Sequence, residues 1–455
     1  MRSHGSDCWF ILFIRPKLRL HGAGLPASFD GRFMDDFLIG RRARVAAALQ
    51  PGDAILLVGA GEPVPLPEGS DQTYPFRAHA EYFYLAGLEC PGGVVAFDPR
   101  SGWESFVPAV TEGERVWEGR AQLPGTLITH LEVWLGARRG RPVAMLGAPV
   151  RGAGADEACT ARARERLLHV RRPKDAPELA LIRRAAAATA GGFAKLRGQV
   201  RPGATERALQ VELEAEFARG GGTRPGYGTI VGTGPNSAVL HFAPSDRAAQ
   251  LGEFVLVDAG AEIDRYMADV TRTYVVGGAP GAFQRDLFQV VLAAEERAIA
   301  RCVAGAEWKE LHLACAVELA AGLVAMGVMR GAAESLVEQE AHLLFFPHGL
   351  GHMVGLGVRD ASGMLSGRTR DSRPSLRTLR MDLPLAPGYV VTVEPGLYFI
   401  PALLNDPARR ARFRDSVNWP LVDRHAALGG VRIEDNVLVT SGAPDVLTAA
   451  IPKTW

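Results

Sequence analysis

The ten residues Gly430-Val431-Arg432-Ile433-Glu434-Asp435-Asn436-Val437-Leu438-Val439 read as one buried strand, on which Arg432 and Glu434 point the same way. Burying a carboxylate on such a strand costs several kcal/mol unless a partner or a metal compensates it. Partners must therefore come from elsewhere in the chain. Candidates stand in Val257-Asp258-Ala259-Gly260 and Ala268-Asp269-Val270 on neighbouring β-rich segments, in His348-Gly349-Leu350-Gly351-His352, and in Thr392-Val393-Glu394-Pro395-Gly396. Two aspartates, one histidine and two glutamates make a hard oxygen and nitrogen donor set, suited to a pair of Mn²⁺-like ions and unlike a soft thiolate site.

A chain of 455 residues is too long for one ordinary domain and suggests two or three. With 22% charged residues and a net charge of +1, it has no basic excess to mark nucleic acid or an anionic membrane as a partner. Cys8, Cys90, Cys159, Cys302 and Cys315 show no Cys-x-x-Cys spacing and are odd in number, which argues for buried thiols in a reducing, cytoplasmic compartment. The apolar run from Cys8 to Ile14 is too short to span a bilayer. A basic cluster follows it where a signal peptide would have small residues. We read residues 1–33 as a disordered leader or extension, with a mis-set start codon as one origin and Met34 as the true start.

The pattern predicts an α/β protein. In residues 34–165 we expect a helix from Phe37 to Leu49 and strands at Asp53 to Val58, Tyr82 to Leu85, Gly93 to Phe97 and Val143 to Leu146. Arg171-Arg172-Pro173-Lys174-Asp175 marks a boundary, since Asp175 can cap a helix that has Pro177 in its first turn and Glu178 at the capping-box position. Residues 166–455 form the second domain. It should hold helices over Thr205 to Arg219 and near 283–304 and 308–327, and a hairpin from Asp258 to Asp269 turning near Ile263-Asp264. A dinucleotide fingerprint at Val58-Gly59-Ala60-Gly61-Glu62-Pro63 is discarded, because it lacks the third glycine and its prolines oppose the required helix.

Together, and in this order, the segments Val257-Asp258-Ala259-Gly260, Ala268-Asp269-Val270-Thr271-Arg272-Thr273, Pro347-His348-Gly349-Leu350-Gly351-His352, Thr392-Val393-Glu394-Pro395-Gly396 and Val431-Arg432-Ile433-Glu434-Asp435 resemble the pita-bread metallopeptidases: methionine aminopeptidase, aminopeptidase P and prolidase. Tyr82-Phe83-Tyr84-Leu85-Ala86-Gly87 and Glu114-Arg115-Val116-Trp117-Glu118-Gly119-Arg120 more loosely resemble the creatinase-like domain that precedes the catalytic one in aminopeptidase P and prolidase.

The resemblance implies two divalent ions per chain, Mn²⁺ first with Co²⁺ or Zn²⁺ as alternatives, held by Asp258, Asp269, His352, Glu394 and Glu434. A hydroxide shared by both ions would hydrolyse an Xaa-Pro bond. It further implies that His241 stabilises the tetrahedral intermediate, that His348 is a neighbouring catalytic histidine, that Glu394 also shuttles a proton with Tyr398 beside it at the substrate, and that Arg432 orients the carboxylates. It suggests a homodimer. One departure is Arg359, where prolidase and aminopeptidase P carry histidine; it could bind a substrate carboxylate or face solvent. The run Ser375-Leu376-Arg377-Thr378-Leu379-Arg380 and the segment Phe399 to Leu404 look more like prolidase, with Arg380 gripping the free carboxylate of a dipeptide. The expected function is thus an Xaa-Pro dipeptidase acting on small peptides ending in proline. The alternatives are an Xaa-Pro aminopeptidase acting on longer peptides and a non-catalytic peptide-binding module.

Overall fold

A computed structural model describes residues 31–50, 52–67, 69 and 71–454. The expected leader, up to residue 30, lies outside the described residues, and Met34 falls within helix α1 (Gly31–Leu49).

Strands β1 (Ile55–Gly59), β2 (Val94–Asp98), β3 (Gly102–Val107), β4 (Thr126–Leu127) and β5 (Val143–Gly147) form one sheet in the order β4-β3-β2-β1-β5. β1 pairs antiparallel with β2 and parallel with β5, Leu57 standing opposite both Ala96 and Met145. Because side chains alternate, Leu56 and Val58 pack on one face with Val45 and Leu49 of α1, while Ile55 and Leu57 pack on the other with Leu131 and Trp134. A strand buried on both faces reads as an unbroken apolar run, which is why β1 and β2 were visible in the sequence.

Tyr82 to Leu85 is a correction: it lies in helix α2 (Ala80–Ala86). The His79 side chain accepts from the Glu81 amide and Gly87 closes the other end at φ 71°. A four-residue apolar run carries no period that separates a strand from a buried helical turn. Three more helices complete this part: α3 (Glu112–Glu118), α4 (Leu131–Gly136) and α5 (Glu157–Arg171). Residue 166 falls inside α5, which packs on β5 and α1.

The capping box of Asp175 and Glu178 opens α6 (Ala176–Arg197), and Thr205 caps α7 (Glu206–Arg219). These two helices lie against a sheet in which β8 (Phe254–Ala259) is central, between β7 (Ile230–Thr233) and β11 (Val270–Val275). Short β6 (Arg224–Pro225), β9 (Ala261–Ile263) and β10 (Tyr266–Met267) form a separate three-stranded sheet in the order β10-β9-β6, with the hairpin turning at Asp264 and Arg265. On the other side, α8 (Ala282–Ala300) and α9 (Trp308–Ala325) share a core with two strand pairs. These are β14 (Val390–Val393) with β17 (Asp435–Leu438) and β15 (Gly396–Tyr398) with β16 (Gly430–Arg432), while β12 (Gly363–Met364) pairs with β13 (Met381–Asp382). Helices lie outside and strands inside on both halves, so polar groups on the inner strands face one another.

The strand expected over 430–439 is broken at Ile433 and Glu434. β16 and β17 have different partners, and Glu394-Pro395 separates those partners, proline having no N–H to continue a ladder. The break frees the Glu434 amide to bond the Thr271 carbonyl at 3.1 Å, which links the two halves.

Candidate metal centre

Asp258 stands on β8, opposite Thr271 of β11, and Asp269 immediately precedes β11. With Glu434 they offer one carboxylate oxygen each within 4.8 Å of one another, all three residues buried. Each is held by its neighbours. Asp258 accepts from the Tyr227 hydroxyl at 2.6 Å and from Arg432 Nη2 at 2.6 Å, and Glu434 accepts from Thr271 Oγ1 at 2.6 Å. The Asn436 side chain clasps the backbone of Asp269, accepting from its amide at 2.9 Å and donating to its carbonyl at 2.7 Å. Gly260 is required here, since a Cβ would stand 1.9 Å from the Ala268 carbonyl oxygen between the two aspartates.

His352 and Glu394 complete the cluster. Nδ1 of His352 lies 3.1 Å from the Met353 carbonyl, which can only accept, so the proton is on Nδ1 and the Nε2 lone pair is free. That Nε2 lies 3.5 Å from Asp269 Oδ2 and 3.8 Å from Glu394 Oε1. Gly351 permits this approach, because a Cβ there would be 2.1 Å from the Thr392 carbonyl.

Four carboxylates thus meet one arginine. Burial and the Asp258 charge hold the Asp269 carboxyl well above its ordinary range, and burial with the Asp269 charge does the same to Glu434. Glu394 is pushed up to about 7 by burial, with Arg432 opposing. Burial brings His352 down to about 4, leaving a neutral imidazole. A buried set of hard donors carrying more negative charge than Arg432 offsets is what a divalent cation would satisfy, and these five side chains fit one.

Behind the cluster, protons run in one direction. Arg432 Nη1 donates to the Tyr398 hydroxyl at 2.9 Å, which lies 2.9 Å from Nε2 of His348, whose Nδ1 lies 2.9 Å from the Gly349 carbonyl. Tyr398 is fully buried and lines neither cavity at the cluster; its hydroxyl serves Arg432 and His348.

Two cavities meet at the cluster. One of about 570 Å³ has Tyr227, Ile230, Phe242 and Val358 in its wall. The other, about 230 Å³, has Leu240, His348, Arg380 and Arg432. His241 and Arg359 line both, so all the residues expected at the site converge, Tyr398 from beneath. Sequence reasoning missed Tyr227, Asn436 and Glu206, and assigned no role to Thr271. Glu206 accepts from Thr233, Asn236 and Ser245, clasping both ends of the segment that carries His241. Thr271 lay within a recognised motif. Tyr227 sits in a Gly-Tyr-Gly loop, and Glu206 reads as an ordinary first-turn acid, so neither carried a signal.

The profile of metallopeptidase family M24 matches residues 180–441, and that of the aminopeptidase P N-terminal domain matches residues 38–141. Among curated proteins, a probable Xaa-Pro aminopeptidase of Paracoccidioides lutzii is 29% identical over 90% of this chain and 93% of its own. Its counterpart in Paracoccidioides brasiliensis is 30% identical at the same coverage. Among solved structures, the aminopeptidase PepP of Pseudomonas aeruginosa superposes with a TM-score of 0.74 at 28% identity, covering 92% of this chain and 96% of that one. An Escherichia coli aminopeptidase P variant in complex with substrate gives 0.75 at 26%, with the same coverage.

Proposed function

We propose, from the premise that the chain belongs to metallopeptidase family M24, that it is an Xaa-Pro aminopeptidase, releasing the residue before proline from the N-terminus of peptides. The observation that carries this is the five-donor cluster opening into two cavities, in a chain that matches relatives of that name over nine-tenths of its length. The dipeptidase expected from the sequence becomes the second reading. One feature favours it: Arg380 lines the smaller cavity with no carboxylate paired to it among the described residues.

Asp258, Asp269, His352, Glu394 and Glu434 would hold two divalent ions, which would supply Lewis acidity and lower the pKa of a water. Mn²⁺ is our assignment, because the donors are hard. His241, at the partition between the cavities, would donate to the carbonyl oxygen as charge develops there. Glu394 would pass a proton to the departing tertiary amide nitrogen. Arg432 would hold Asp258 in place and, through Tyr398, the imidazole of His348. Tyr398 thus acts on substrate through its neighbours. Phe242, Val358 and Ile230 offer an apolar wall for a ring or side chain. A cytoplasmic homodimer completes the proposal. Four unpaired cysteines among the described residues support the compartment, no described helix is long and apolar enough to cross a membrane, and sedimentation would test the dimer.

The deciding experiment measures kcat/KM on Xaa-Pro-Xaa and Xaa-Pro after chelation and readdition of Mn²⁺. Preference for the longer peptide is expected. Exclusive dipeptide cleavage would install the second reading, and metal binding without turnover of either would leave a peptide-binding module.

A further inference from the structure

The segment from Arg359 to Arg380 holds six arginines against two aspartates. Its acids are spent: Asp360 is buried between Arg171 and Lys174, and Asp371 accepts from the Arg373 amide. Arg368 pairs with Glu307 and Asp382, and Arg373 with Glu340. Arg359 and Arg380 have no ion-pair partner among the described residues, both are exposed, and both line the smaller cavity at the cluster. Burial lowers Arg380 below the ordinary guanidinium value, the charge of Arg359 lowers it further, and that of Glu394 opposes both. Two guanidiniums at one cavity, neither held in an ion pair among the described residues, offer charge-assisted hydrogen bonds to a ligand carboxylate.

Both guanidiniums grow from pinned backbone. Asp360, next to Arg359, takes the Leu356 amide and two buried cations, and Arg380 precedes β13, whose Met381 is paired with Gly363 of β12. Such anchoring lowers the entropy lost on binding. On the aminopeptidase reading the peptide beyond proline must continue out of the site, and Arg359 and Arg380 are exposed side chains at its smaller cavity. On a longer peptide the group meeting them past proline is a side chain.

We propose that Arg359 and Arg380 grip a carboxylate on the residue after proline, so that the enzyme prefers Xaa-Pro-Asp and Xaa-Pro-Glu peptides. This rests on the aminopeptidase reading above. The test uses Mn²⁺-loaded enzyme on Ala-Pro-Asp, Ala-Pro-Ala and Ala-Pro-Lys as C-terminal amides, with Ala-Pro-Ala bearing a free carboxylate as the fourth substrate. We expect kcat/KM for the Asp amide to exceed that for the Ala amide by about 10-fold, as for a charge-assisted hydrogen bond, with the Lys amide lowest. The Asp-to-Ala ratio should fall towards unity in Arg359→Gln, in Arg380→Gln and at high salt. A ratio stays readable even where a variant loses overall rate. Equal use of the three amides overturns the proposal, as does a preference carried by the free C-terminus alone. Failure to cleave any of the four overturns the aminopeptidase reading instead.

Discussion

Replacing Asp360 with asparagine keeps the side chain's shape and removes its charge. Its carboxylate lies 2.6 Å from Arg171 Nη2 and 2.7 Å from Lys174 Nζ, and both cations are buried with it. At an effective dielectric constant of ~20 each contact is worth roughly 6 kcal/mol before desolvation. Much of that gain offsets the cost of taking three ions out of water. What the substitution exposes is the remainder, two buried cations with no anion between them, and removing one partner of a buried pair costs about 3–5 kcal/mol. With a urea slope of about 3 kcal/mol per M, the unfolding midpoint of Asp360→Asn should fall by about 1–1.7 M at pH 7. The pH dependence has a definite sign. Burial alone would raise the Asp360 carboxyl, but Lys174 and Arg171 outweigh it and hold it below its ordinary value. A depressed folded-state pKa contributes stability above the unfolded-state value of about 3.9 and loses it as the pH falls through the folded value. The gap between wild type and variant should therefore be full at neutral pH and close in acid below about pH 4. A midpoint shift under about 0.3 M at pH 7, or a gap that widens in acid, would refute the reasoning.

Asp269→Ala and Glu434→Ala should each abolish turnover and bound metal, as measured by elemental analysis of the purified variants; two retained ions with near-normal activity would remove both from the ligand set. His241→Ala should lower kcat by roughly 100-fold with metal content unchanged, as for loss of a donor to a developing oxyanion, and an unaltered kcat would make it a packing residue. Tyr227→Phe removes the 2.6 Å hydrogen bond to Asp258 and should weaken metal binding by about 10- to 100-fold in a chelator competition. An affinity equal to wild type there would show that Arg432 alone orients Asp258.

The chain order of the five donors was legible in the sequence because each sits in a short motif whose neighbours serve it: Gly260 beside Asp258, Gly351 beside His352, Thr271 after Asp269. The buried strands β1 and β2 were legible for the same local reason, an apolar run with polar ends. Periodicity could not place Tyr82 to Leu85 in a helix, since the deciding groups, His79 and Gly87, lie outside the apolar run. Nor could it show that the strand bearing Arg432 and Glu434 breaks between two partners, because pairing is settled by segments about forty residues upstream. Tertiary structure alone brought Tyr227 to Asp258, Asn436 to Asp269 and Glu206 to the segment around His241, contacts of 27 to 167 positions in separation that no local pattern encodes. It also left Arg359 and Arg380 without an ion pair among the described residues, at one cavity. A sequence shows that a charge exists; whether another charge cancels it depends on which side chains the fold brings within reach.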